Sequence, residues 1–250
     1  KELEKLGYKY NENGAQVKWC YCLDINGKSS DELFNEFRSS TRNNINKTNS
    51  KFKLNVRTLT KEQLPEFKKV TSDTCDRREF SDKTLSYYEN MYDAFGEDVT
   101  FKICELNCDT YIEHLEEENK EFERKLNELS DSASNKKKKE VMRKDIENNN
   151  KKIEDTKKLK EEKGNVIPLS AAMFILYGDE IVYLFSGSYA EYMSFCGQYR
   201  LQWEIIKYAA ENGYKRYNYY GIQDVFNPEG KDRGVYEFKK GFGGYVEELL

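Results

Sequence analysis

The sequence predicts a mixed α/β (α+β) fold: a mixed sheet flanked by helices and interrupted by a long antiparallel two-helix coiled-coil arm. Three observations carry the prediction. Strand-like runs alternate with amphipathic helical stretches over residues 15–107. A heptad pattern takes over from Cys108 to Lys163. Apolar strand-like runs then resume after Gly164 and continue to the end of the chain.

The first strand is AQVKWCYCLD (15–24), with Val17, Trp19 and Tyr21 on one face and Lys18, Cys20 and Cys22 on the other. A helix is expected from Ser30 to Lys47, carrying Leu33, Phe34 and Phe37 on one face, followed by a short strand LNVRTL (54–59). Thr60 starts a helix that runs to about Cys75, and Ser81 is expected to cap the next, KTLSYYENMYDAFG, which Gly96 ends. VTFKICEL (99–106) reads as a strand.

From Cys108 the apolar-leaning positions fall at 108, 112, 115, 119, 122, 126 and 129, and a second seam follows at Met142, Ile146, Asn149, Ile153 and Thr156. Two such arms joined by the polar stretch 130–135 make a hairpin. An arm of about 23 residues projects ~35 Å at ~1.5 Å per residue, beyond the body of a domain this size. Asn119 and Asn149 at seam positions read as register-fixing residues. The domain expectation is therefore one sheet domain formed by 1–107 and 164–250, with 108–163 inserted into it.

After the hairpin, VIPLSAAMFILYG and EIVYLFSGS form a strand pair turned at Gly178-Asp179, and their unbroken apolar runs fit central strands covered on both faces. Gln198 to Asn212 is a helix with Leu201, Ile205, Tyr208 and Ala209 on its apolar face, stopped by Gly213. The strand YKRYNYYGI (214–222), a Gly/Pro-punctuated loop, a short helix YEFKKGFG and a last strand GYVEELL complete the chain.

Composition excludes several functions. Lys plus Arg (41) nearly balances Asp plus Glu (45), for a net charge of −4, so any nucleic-acid contact is local. The six cysteines (20, 22, 75, 104, 108, 196) lack a secreted framework's regular spacing, and no apolar run approaches the ~18 residues of a membrane span. The reading is a reduced, soluble, cytoplasmic protein with buried thiols. A metal set of Cys20 and Cys22 with Cys104 and Cys108 is the alternative, but neither pair has CxxC spacing, so no metal is expected. The opening KELEKLGYKY reads as a helix end, a glycine stop and a strand, as in a piece of a longer protein.

No phosphate-binding glycine loop, zinc signature or Ser-His-Asp set is visible, and the single histidine, His114, lies in a hairpin arm. What remains is a cluster on the strands after the hairpin: Tyr183, Phe185, Ser186, Gly187 and Ser188, then Tyr219, Tyr220 and Gly221, then Phe238, Lys239 and Lys240. If these elements meet at one end of the sheet they line one cleft. Their bland counterpart is a solvated lysine pair and core aromatics.

These residues carry a resemblance. FSGSYAEYMSFCGQYRLQWEIIKYAAENGYKRYNYYGI followed by GVYEFKKGFGGYVEEL resembles the Fem family of peptidoglycan aminoacyltransferases, with the strand pair after an inserted coiled coil, the QWE helix, the NYYG strand and the FKKGF helix in the family's order. The resemblance implies two GNAT-like domains with a helical arm, of which this chain matches the second domain and the arm. It implies transfer of an amino acid from aminoacyl-tRNA to the stem-peptide side-chain amine of a lipid-linked or nucleotide-linked muropeptide, without a cofactor, near the inner face of the membrane. The family's Phe-Lys pair falls on Phe238 and Lys239, the lysine being implicated in catalysis. Its Arg-to-Tyr pair in the precursor site falls on Lys83 and Tyr87, and Arg77 matches a further position.

Lysine at 83 keeps the charge of the family's arginine but loses its bidentate grip on phosphate or carboxylate. An aminoacyl ester is already activated, so attack by an amine needs positioning, proton loss and oxyanion stabilisation rather than a triad. On this reading Lys239 stabilises the oxyanion, and Gly187 and Gly221 let the backbone approach the substrate. The arm's lysines (136–139, 151–152, 157–158) offer tRNA phosphate contacts, largely cancelled by interleaved glutamates (116–118, 121, 123). Two alternatives stand beside this: a non-catalytic tRNA- or precursor-binding module, and an acetyl-CoA transferase. The turn GSYAEYMSFCGQYRLQ lacks the pyrophosphate-cradling pattern the latter requires.

Overall fold

The computed structural model describes residues 2–9, 17–130, 132–223, 225–230 and 232–249. In chain order the elements are α1 (Glu2–Lys5), β1 (Trp19–Asp24), α2 (Ser30–Glu36), α3 (Ser39–Ser50), β2 (Asn55–Thr58), α4 (Leu64–Arg78), α5 (Leu85–Phe95), β3 (Val99–Asn107), α6 (Cys108–Glu128), α7 (Ala133–Lys163), β4 (Val166–Tyr177), β5 (Glu180–Ser188), α8 (Gly197–Glu211), β6 (Arg216–Ile222), α9 (Arg233–Lys240) and β7 (Tyr245–Glu248). Among the described residues the strands form one seven-stranded sheet in the order β2-β3-β4-β5-β6-β1-β7. All neighbours are antiparallel except β5 and β6. The fold class is the mixed α/β sheet flanked by helices that the sequence predicts.

The unbroken apolar run of β4 follows from its central place. Ala172 and Phe174 turn to one core, with α8 and α2, while Ala171, Met173 and Ile175 turn to a second core with α4. Both faces are therefore covered, and alternation disappears from the sequence. β1 behaves similarly: Cys20, Tyr21, Cys22 and Leu23 are all buried, so its expected polar face is not a solvent face. Residues 15 and 16 of the expected strand lie outside the described residues.

Three local expectations are corrected. The single helix over 30–47 is two, because Phe37 is extended (φ −67°, ψ 150°). Its ring is fully buried against Phe34, Trp203 and Phe242, and Arg38 N–H donates to the carbonyl of Gly241, so tertiary packing overrides a locally helical stretch. The cap of α5 is Thr84, whose hydroxyl accepts from Tyr87 N–H, and not Ser81; Lys83 precedes the helix. On α8 the buried face is Leu201, Ile205, Ile206 and Ala209, while Tyr208 is exposed.

α6 and α7 pack side by side in opposite directions, with Asp109 paired to Lys160 at the base and Asn119 meeting Asn149 farther out. Ile112, Leu115, Ile153 and Thr156 are buried between them and the sheet domain. At ~1.5 Å per residue the 31 residues of α7 span roughly 46 Å. Among the described residues no helix is long and apolar enough to cross a membrane.

Candidate active site

β5 and β6 pair in parallel only over Glu180–Val182 and Arg216–Asn218. Beyond that point they part, and the carboxyl ends of the two strands wall a cleft of about 710 Å³ completed by α4 and α9. The mouth between parting parallel strands is where open α/β sheets hold ligands.

Most of the residues singled out in the sequence meet here. Arg77, Tyr183, Phe185, Gly187, Ser188, Tyr220, Gly221, Phe238 and Lys239 all line the cleft. Lys83 and Tyr87 do not line it. They stand behind its wall, with the Lys83 ammonium 5.5 Å from the Tyr87 ring centre and that ring edge-on to Phe185 at 5.9 Å. The neighbouring Tyr88 lines the cleft instead.

Lys239 lies on the buried face of α9 and is 5% exposed. Its Nζ donates to the carbonyls of Tyr219 and Gly221, both at 2.7 Å. Burial pulls its pKa down to about 7, opposed by Cys20. Near neutral pH both its ammonium and its amine forms are therefore populated. Two of the three positions on the nitrogen are held by carbonyls. The third is an N–H in the ammonium form and a lone pair in the amine form. Phe238, its neighbour, packs edge-on against Tyr199 and Phe242.

The backbone that Lys239 grips is irregular. Cys20 faces Gly221 and Cys22 faces Asn218, so β6 carries an extra residue opposite Tyr21, a β-bulge. Tyr220 sits in the left-handed region (φ +59°), and its N–H donates to Asn218 Oδ1 at 2.7 Å.

The opposite wall is held just as firmly. Thr74 Oγ1 accepts from Ser188 N–H at 2.8 Å, and the exposed Arg77 donates to the carbonyl of Ser188. Gln198 Nε2 donates to the carbonyl of Gly187 at 2.8 Å. Tyr183 donates to Ser186, and burial pushes its hydroxyl up to about 12. The two glycines serve packing: a Cβ on Gly187 would lie 2.4 Å from the Val70 carbonyl oxygen, and one on Gly221 2.6 Å from a Val17 methyl. Their missing side chains make room for protein.

Sequence reasoning missed Thr74, Tyr88 and Gln198. Thr74 shares the face of α4 that carries Thr71, and Gln198 follows Gly197, the first residue of α8, whose Cβ would strike Ser170. Those are weak signals without the sheet in place.

The FemAB family model matches residues 1–250. The chain belongs to the FemAB family. The aminoacyltransferase FemA of Staphylococcus epidermidis (strain ATCC 35984) is 35% identical over 262 residues, covering 100% of this chain and 63% of that protein. FemA of Staphylococcus aureus (strain MRSA252) is 33% identical over 242 residues, covering 94% of this chain and 57% of that one. The crystal structure of FemX superposes with a TM-score of 0.75 at 25% identity, over 98% of this chain and 65% of that chain. The chain thus spans less than two thirds of the length of these FemAB relatives.

Proposed function

We propose that this chain is the part of a FemAB aminoacyltransferase that carries the reacting-group lysine, and that the whole protein moves an amino acid from aminoacyl-tRNA to the stem-peptide side-chain amine of a lipid-linked peptidoglycan precursor. The observation that carries this reading is Lys239: a buried lysine with a pKa near 7, fixed by two carbonyls in the wall of a cleft between parting strands. FemA relatives at 32–35% identity support the reaction class.

In the proposed reaction the acceptor amine attacks the ester carbonyl carbon. A C–N bond forms, the C–O bond to the tRNA ribose breaks, the amine loses a proton and the ribose oxygen gains one. The ammonium form of Lys239 stabilises the oxyanion, and its lowered pKa suits it to hand a proton to the departing oxygen. Arg77 at the mouth meets an anionic part of the precursor, with Lys83 and Tyr87 behind the wall supporting Phe185. The arm formed by α6 and α7 offers local tRNA contacts, and the lipid substrate brings the protein to the inner membrane face.

A second reading is favoured by the same hydrogen bonds: Lys239 as a pin of the bulge in a binding module without catalysis. Lys239→Ala in the full-length protein separates the two. A catalytic lysine predicts transfer from charged tRNA to lipid-linked precursor reduced roughly 10²-fold or more, the usual cost of removing one oxyanion donor. Unchanged turnover would sink the catalytic assignment.

A further inference from the structure

On the sheet face away from α9, the neighbouring strands β1 and β7 bring together groups that the cleft does not use. Cys20 and Cys22, two apart on β1, turn the same way and are both fully buried. Glu247 on β7 is Cys20's register partner and reaches them with its carboxylate. The three ligand atoms form a nearly equilateral triangle: Sγ to Sγ is 3.6 Å, Cys22 Sγ to Glu247 Oε2 is 3.4 Å and Cys20 Sγ to the same oxygen is 3.8 Å. Among the described residues this is the one place where three or more cysteine, histidine or carboxylate ligand atoms lie within 4.8 Å of one another, and Cys104 and Cys108 do not join it.

The dimensions of this triangle are informative. A tetrahedral metal with bonds of ~2.3 Å to sulfur and ~2.1 Å to oxygen places two of its sulfurs about 3.8 Å apart and sulfur from oxygen about 3.6 Å. The observed sides lie within a few tenths of an ångström of those values, with no movement of the strands. From this geometry we infer a site for a soft divalent cation of the zinc class, held by Cys20, Cys22 and Glu247, with a fourth position left for water.

The surroundings agree with that assignment. Arg216 Nη1 donates to Glu247 Oε2 at 2.8 Å, and its other side is held by Glu180, which also accepts from Asn218. Arg216 thus orients the ligating carboxylate from outside the metal, as outer partners do in metal sites. Cation binding requires both cysteines as thiolates, so one divalent ion replaces two thiol protons and the net charge of the cluster is unchanged. Glu247 is partly exposed while both thiols are enclosed, so the carboxylate is the point of entry. Occupancy would tie β1 to β7 through Cys20, the β1 residue that also faces Gly221 of β6.

The test is cadmium titration of the reduced, metal-free intact protein, followed by the thiolate-to-cadmium charge-transfer band and by proton release. One saturable equivalent with two protons released per ion is expected, with a rise in the thermal midpoint as cadmium is added. Cys20→Ser/Cys22→Ser abolishes the band, whereas Cys75→Ser/Cys196→Ser leaves it intact. Should the first double variant fail to fold, Glu247→Gln keeps both thiols and is expected to weaken cadmium binding by about tenfold or more. A full band in a folded Cys20→Ser/Cys22→Ser protein, no saturable binding by the intact protein, or unchanged affinity in Glu247→Gln overturns the site.

Discussion

Lys239 holds the main chain on both sides of Tyr220: its Nζ binds the carbonyls of residues 219 and 221, while Tyr220 between them takes a left-handed conformation. One side chain from α9 thus binds two carbonyls that flank the β-bulge. The bulge turns Tyr220 towards the cleft that Lys239 also lines. Position and chemistry of this lysine are therefore coupled, and experiments on either must separate the two.

The lowered pKa of Lys239 makes a prediction about stability. Between about pH 7 and the ordinary lysine value of 10.5, the unfolded chain carries a proton on this residue that the native protein lacks. Stability contributed by this group then rises with pH across that window, at up to ~1.4 kcal/mol per pH unit, and is flat below it. Lys239→Met removes the rise. Urea midpoints measured from pH 7 to pH 10 on both proteins give the difference, and parallel profiles would refute the buried, near-neutral lysine.

Tyr220 tests the bulge itself. A non-glycine residue in the left-handed region costs on the order of 1 kcal/mol, and more for a β-branched side chain. Tyr220→Gly is expected to change stability by less than about 1 kcal/mol, strain relief offsetting lost ring contacts, whereas Tyr220→Val is expected to be the less stable of the two by more than ~1 kcal/mol. Denaturant unfolding of the pair decides it. Equal stabilities would mean that the backbone relaxes at this position.

Much of this architecture was legible in the sequence, because it depends on local period. The change from period two to a heptad at Cys108 and back at Gly164 locates the hairpin, and the Gly178-Asp179 turn locates the β4–β5 pair. The cleft residues on β5, β6 and α9 were found from aromatic, glycine and lysine clustering. What stayed hidden depends on contacts distant in sequence. The break at Phe37 comes from Trp203 and Phe242, more than 160 residues away. Cys20 and Cys22 read as a polar face because Glu247, 225 residues beyond Cys22, supplies their partner. The burial of Lys239 was equally invisible, since FKK at a helix end usually marks a solvated face.

Gly187 carries a prediction about the cleft wall. An alanine Cβ there would stand 2.4 Å from Val70 O and 2.8 Å from Thr71 Cα, both backbone atoms of α4 that cannot rotate away. Gly187→Ala is expected to cost about 1–3 kcal/mol by overpacking and to loosen the Thr74–Ser188 bond that fixes the wall. Gly213→Ala is the control. It has φ +78° but open space around the new methyl, so its cost is conformational only, about 1 kcal/mol. Hydrogen exchange at Ser188 N–H distinguishes them, accelerating in the first variant and not in the second.

The hairpin seam makes the last prediction. Asn119 Oδ1 accepts from Asn149 Nδ2 at 3.2 Å, Asn119 Nδ2 donates to Asn150, and Lys152 donates to Asn149 Oδ1, with both seam asparagines less than a tenth exposed. Removing one partner leaves the other buried amide without its mate, so Asn119→Leu or Asn149→Leu alone is expected to cost about 1–3 kcal/mol. Removing both replaces a polar pair by an apolar contact between flanking layers at Leu115 and Ile153. The double variant is therefore expected to recover most of that loss, and to match or exceed the parent in thermal midpoint. A register-setting role adds a second expectation: the double variant keeps its helix content but loses uniqueness in the outer hairpin. Amide signals of residues near Phe122 and Ile146 should then broaden while those at the Asp109–Lys160 base stay sharp. Additive losses in the double variant would show that the two asparagines do not act as a pair.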